Sequence, residues 1–180
     1  MAKRRKSALS DYQKAYLKLC KENFLFFCEN ELKIVLKSGA LKPLVPNDAQ
    51  MQVLEHLLKG NVSRLALLKA RQMGMSTFIA AYYFWRVLFA RNEKCIVLAH
   101  EGEAAAKLFR IYQTYYENLA EWIQEEFPLK HSTKRELVFS KHTGLITIAT
   151  ANSPDKLRGS TVQYLHCSEV AFWDKQKEVF

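Results

Sequence analysis

Near the start of the chain, apolar positions recur at helical spacing. From about Ser10 to Lys37, Tyr12, Tyr16, Leu19 and Cys20 fall on one face of a helix. The aromatic cluster Phe24, Phe26 and Phe27 follows and predicts packing against a main domain. Two prolines in Leu41–Pro46 interrupt the pattern and predict a linker. A further helix is expected after Asn47, a favoured N-cap that forms a capping box with Gln50. Met51, Leu54, Leu57 and Leu58 give its buried stripe, and Gly60-Asn61 ends it.

The pattern then alternates. Arg64 to Lys69 is a short apolar run that predicts a buried strand, and Met75 to Arg91 reads as a helix. Lys94 to Ala99 predicts a second buried strand. Gly102 to Phe127 predicts one long amphipathic helix, with Ala104, Leu108, Ile111, Tyr115, Leu119 and Trp122 on one stripe. Glu136–Ser140 and Leu145–Thr150 predict a hairpin around His142-Thr143-Gly144, and Val162–Cys167 another apolar strand. Strands alternating with long helices predict an α/β domain with a mainly parallel sheet flanked by helices.

With 49% apolar residues in 180, a folded domain is expected rather than disorder. The formal charge is +9, from 27 Lys+Arg against 18 Asp+Glu, which suits a polyanionic partner or a solvated surface. The basic start, Met1 to Lys6, has no apolar signal core behind it. It reads as a solvated tail or a phosphate contact. The four cysteines make no CxxC pair and no zinc spacing, which predicts free thiols in a reducing compartment. Cys95 and Cys167 read as small core residues. No stretch is apolar and long enough to span a membrane.

Candidate chemistry begins in the turn from Lys69 to Thr77. Against the phosphate-loop pattern G-x-x-x-x-G-K-[ST], Gly74 takes the second glycine and Ser76 the hydroxyl. Met75 stands at the lysine position and Lys69 at the first glycine. A phosphate cradle needs N–H groups at a helix N-terminus, a close-approach glycine, a hydroxyl for Mg2+ and positive charge. Lys69 or Arg71 can supply that charge from upstream. The plainer reading is a glycine-containing strand–helix turn with chance basic residues.

A second candidate is Val162 to Glu169, an apolar strand ending in Ser168-Glu169. In phosphoryl-transfer enzymes such a strand ends in two acids, one for Mg2+ and one for the attacking water. Here Ser168 can hold a metal-bound water without charge, and Glu169 is the acid. Alone, an exposed glutamate is the default reading. The pairing with an upstream loop is the stronger signal.

Arg71-Gln72-Met73-Gly74-Met75-Ser76-Thr77 resembles the R-Q-x-G-x-[ST] loop of large terminase subunits, the ATPases of viral DNA-packaging motors. Some members of that family lack the usual loop lysine and carry one at the loop's start, where Lys69 stands. Ser168 to Trp173 resembles the family's acidic ending followed by an Ala-aromatic stretch. Leu157-Arg158-Gly159-Ser160 is similar to its Arg-Gly element, and Pro46 to Gln50 to the segment whose glutamine reads adenine. The resemblance covers roughly Leu44 to Trp173.

That resemblance implies a P-loop NTPase of ASCE type, with a tail and helical segment over 1–42 and a partial ATPase domain over 43–180. It implies ATP and Mg2+ as cofactors and translocation of double-stranded DNA into a capsid. The implied partners are a portal protein, a small terminase subunit and further copies in a ring, with no membrane. The implied location is the bacterial host cytoplasm, docked on the procapsid. Nucleotide contacts are expected from Gln50, Lys69, Arg71, Gln72, Met73, Gly74, Met75, Ser76, Thr77 and Arg158, and metal contacts from Ser76 and Ser168. Lys69, Arg71 and Glu169 are the expected catalytic groups. Gln50 reads equally as an adenine reader or a capping-box residue, and Arg158 as a γ-phosphate contact or a turn anchor. Lys130 to Arg135 reads as a DNA surface or a solvated loop.

The family's coupling motif and nuclease lie beyond Phe180, so the resemblance implies a fragment or truncated gene product with an incomplete sheet. Two other readings stand beside it. One is a fragment of a superfamily-2 helicase or translocase, which also places a glutamine before its loop. The other is a decayed, non-catalytic ATPase fold that binds a partner, which Met75 and Ser168 favour.

Overall fold

A computed structural model describes residues 8–60, 63–70, 72–151 and 161–173. Ser10 opens helix α1 (Asp11–Glu22) with a reciprocal capping box to Gln13. Asn23 ends α1 and its side chain caps α2 (Phe24–Asn30). The single helix expected as far as Lys37 is therefore two helices. Lys33–Val35 leaves them as strand β1, where the β-branched pair Ile34-Val35 suits a pleated surface. Its antiparallel partner β2 (Leu41–Pro43) occupies the expected linker. Of the predicted first stripe, Cys20 is buried, whereas Tyr12 and Leu19 are exposed.

Helix α3 (Asp48–Leu58) starts on the Asn47–Gln50 capping box read from the sequence, and Gly60 follows its end at φ +68°. Helix α4 (Met75–Phe89) and strand β3 (Lys94–Ala99) stand where the pattern puts them. The long helix expected from Gly102 to Phe127 is broken into α5 (Gly102–Glu117) and α6 (Glu121–Glu126). A buried acid lies at the break. Glu31 Oε2 accepts from Ala120 N at 3.2 Å, and its Oε1 accepts from Tyr16 Oη–H at 2.6 Å. Burial, then Glu31, pushes the Tyr16 phenol upward.

Four more strands complete the sheet: β4 (Leu129–Ser132), β5 (Glu136–Phe139), β6 (Leu145–Thr150) and β7 (Tyr164–Cys167). The order is β4-β5-β6-β3-β7. β3 runs parallel to β6 and β7, whereas β4–β5 and β5–β6 are antiparallel. The sheet is thus mixed rather than mainly parallel, because the predicted hairpin brings β5 beside β6 and β4 folds back onto β5.

Side chains of β3 alternate between two layers. Cys95, Val97 and Ala99 face the main core with Phe84, Tyr112 and Tyr115. Ile96 and Leu98 face a small cluster with Ala151 and Trp173. The main core also takes in Cys20, Phe24, Phe27 and Cys28 from the N-terminal helices. Each such fully buried side chain contributes about 2 kcal/mol.

The run Arg64 to Lys69 is not a strand. Residues 63–70 carry no regular structure and are exposed, with Leu68 fully so. A strand exists through its neighbours' hydrogen bonds, and none of the described strands pairs with this run. Among the described residues no helix is long and apolar enough to cross a membrane.

Candidate functional site

The loop before α4 has an unusual backbone. Gln72 and Gly74 both take positive φ, each +64°. Turns of left-handed residues point successive N–H groups into one concavity. Gly74 is the N-cap of α4 and offers no side-chain cap, so the first-turn N–H groups are left open at the positive end of the helix. Met75, at the lysine position, is 5% exposed and sits in the main core. A lysine there would bury its ammonium group, which costs far more than burying a thioether. Ser76 and Thr77 are half-buried in the first turn, and the Thr77 carbonyl accepts from Tyr115 Oη–H at 3.0 Å.

Gln50 is the strut of this loop. Its Nε2 donates to the carbonyls of Met73 at 3.2 Å and Gly74 at 3.1 Å, and its Oε1 accepts from Asn47 N at 3.0 Å. Its amide is thereby spent inside the protein, and the residue is 5% exposed. A cleft of about 510 Å3 opens beside it, lined by Ile34, Leu44, Asn47, Met73, Arg110 and Ile111 among others.

At the end of β7, Ser168 is buried and its backbone is held on both sides. Its N–H donates to the Leu98 carbonyl at 2.8 Å, and its carbonyl accepts from Trp173 Nε1–H at 3.0 Å. Glu169 follows at φ +57°, ψ +42°, a left-handed position unusual for a side-chain-bearing residue. A 3-10 turn (Val170–Phe172) leads away.

The loop and this strand end meet. Lys69, Gln72, His100, Glu169 and Phe172 line one cavity of about 470 Å3, at the carboxyl ends of the parallel strands β3 and β7. Ligands of open α/β sheets bind at such ends. Lys69 is exposed, and its charge is felt at β7. Burial first, and then Lys69, pushes the His166 imidazole down to about 4.

Of the expected site residues, Lys69, Gln72 and Glu169 converge on this cavity. Gln50, Met73, Gly74 and Thr77 line the neighbouring cleft, which Gln72 shares. Arg71 and Arg158 lie outside the described residues. Among the described residues no group of three or more His, Cys, Asp or Glu side chains forms a metal-binding cluster. Sequence reading missed His100. The signal was its place, directly after an apolar strand, at the end where α/β sheets bind ligands. Lys130 to Ser132 belongs to edge strand β4, where exposed lysine also discourages edge-to-edge pairing. No protein-family model matches the chain.

Proposed function

We propose that the protein binds ATP with Mg2+ where the loop of residues 69–77 meets the end of β7, and hydrolyses it. The ATPase would be of P-loop (ASCE) type, the motor part of a terminase large subunit moving double-stranded DNA into a capsid. One observation carries the reading: Lys69 and Gln72 share a cavity with Glu169, a carboxylate from a distant strand. The motif resemblance around Gly74 and Glu169 directs it to this family.

In this reading the phosphates lie against the uncapped first turn of α4. Lys69, with Arg71, supplies the charge that position 75 does not. Mg2+ would offset phosphate charge, and the hydroxyls of Ser76 and Ser168 are the groups that would hold it or its waters. The Glu169 carboxylate accepts a hydrogen bond from the attacking water. The water oxygen bonds to the γ-phosphorus as the bond to the bridging oxygen breaks. ADP leaves with that electron pair, and the water's proton is released by way of Glu169. The neighbouring cleft, apolar at Ile34, Leu44 and Ile111, suits the base. Gln50 would read adenine only by giving up a bond to the loop.

DNA contacts would go to phosphates and weaken steeply with salt. A portal protein, a small terminase subunit and further copies in a ring are the partners that follow from the same reading.

Titration with a fluorescent ATP analogue in Mg2+, together with phosphate release, tests the site. Glu169→Gln is expected to bind nucleotide and release no phosphate. Lys69→Ala is expected to lose most turnover. Failure of the unmodified protein to bind nucleotide would sink the reading. A silent Lys69→Ala beside a severe Arg71→Ala would move the essential charge to position 71.

A further inference from the structure

His100 directly follows β3, and Glu169 lies just past β7. The two strands run parallel with Leu98 opposite Cys167, and the bond from Ser168 N–H to the Leu98 carbonyl extends the pairing. Both side chains therefore leave the sheet at the same end. His100 Nδ1 stands 3.2 Å from Glu169 Oε2, and His100 Nε2 stands 3.3 Å from Glu101 Oε1. The Nδ1 atom is buried and makes no aligned hydrogen bond, while it lies within ion-pair distance of Glu169 Oε2. The Phe172 ring, 6.2 Å away between centroids, leans on the imidazole from the turn after Glu169. Among the described residues lining the cavity, Lys69 is the other charged group.

Glu169 needs such a neighbour. Its side chain is 52% exposed, and an unanchored glutamate of that kind samples several rotamers. A carboxylate that orients water is useful only while it is in place.

We infer that His100 is a positioning residue for Glu169. It holds the carboxylate at the rim of the cavity and so sets where the attacking water is held. The inference rests on the ATPase reading above.

His100→Ala is expected to lower kcat roughly tenfold while the KM for ATP stays within about twofold. His100→Asn, whose amide can still donate to the carboxylate, is expected to recover part of that loss. Melting temperatures of both variants check that the fold is kept. The ring 15N resonances of His100 at fixed pH report the pair without turnover, and Glu169→Gln is expected to shift them. Unchanged kcat in His100→Ala, or a loss that tracks a lowered melting temperature and is not relieved by Asn, overturns the positioning role. ATP hydrolysis by the parent with unshifted resonances in Glu169→Gln overturns it too, and leaves the ATPase reading standing. A parent that neither binds nor hydrolyses ATP overturns that reading itself, and the role with it.

Discussion

Gln50 Nε2 lies 3.1 Å from the carbonyl oxygen of Gly74 and 3.0 Å from where a Cβ at position 74 would fall. The same nitrogen ties the loop to α3 and occupies the space any side chain at 74 would need. Position 74 also has φ +64°, which favours glycine on its own account.

Gly74→Ala should therefore destabilise the protein by about 2 kcal/mol, from left-handed strain and a displaced amide. It should also weaken nucleotide binding. Urea unfolding and nucleotide titration of the same variant measure both. An alanine that costs nothing would mean that the loop does not hold this conformation.

Glu169 bears a side chain at a strained, left-handed backbone position. On the proposed ATPase reading, Glu169→Gly and Glu169→Ala should both abolish hydrolysis. The glycine variant should be the more stable by about 1 kcal/mol, because it relieves the strain that alanine keeps. Equal unfolding midpoints would remove the argument for strain.

His166 supplies a pH dependence. Burial, then Lys69, holds its folded value down at about 4, below the ordinary 6.5. Between these values the unfolded chain binds the extra proton, so stability rises with pH there. The contribution is fully present above pH 6.5, falls as the pH drops, and is gone below about 4. The ring keeps some exposure, so the loss should be about 2 kcal/mol. Unfolding midpoints of the parent and His166→Leu across this range should diverge on that slope.

Glu31 joins three segments through Tyr16 and Ala120. Glu31→Ala should cost about 2 kcal/mol, because it leaves a buried phenol and a backbone N–H without their acceptor. Thermal unfolding with near-ultraviolet circular dichroism, which sees the aromatic contacts of Tyr16 with Phe26 and Trp122, checks it.

Burial raises the thiols of Cys20 and Cys95 to about 12, and that of Cys167 to about 11. Native protein at pH 8 should alkylate slowly at all three, with Cys167 the fastest because it is only half-buried. Mass spectrometry against a denatured control resolves the order.

What could be read from sequence was local. Both capping boxes, Ser10–Gln13 and Asn47–Gln50, close within a single helical turn, and the second is legible from residue types and spacing alone. The apolar run that marked β3 is buried on both its faces, and the hairpin of β5 and β6 formed around its predicted turn. Where the reading failed, the deciding partner was distant. The helix expected over Gly102–Phe127 breaks where Glu31 reaches Ala120, far away in sequence.

By itself the sequence determined the capped start of α3 and the places of α4 and β3, and it named the residues proposed for phosphate and water chemistry. Tertiary structure decided which strands pair, left Arg64–Lys69 unpaired with any described strand, and made the sheet mixed. It also spent the amide of Gln50 on the loop, turned Met75 into the core, and set His100 against Glu169. The reason is range. A cap or a periodicity is satisfied within a few residues, whereas a strand's hydrogen bonds and a site's neighbours come from segments whose meeting only the folded chain determines.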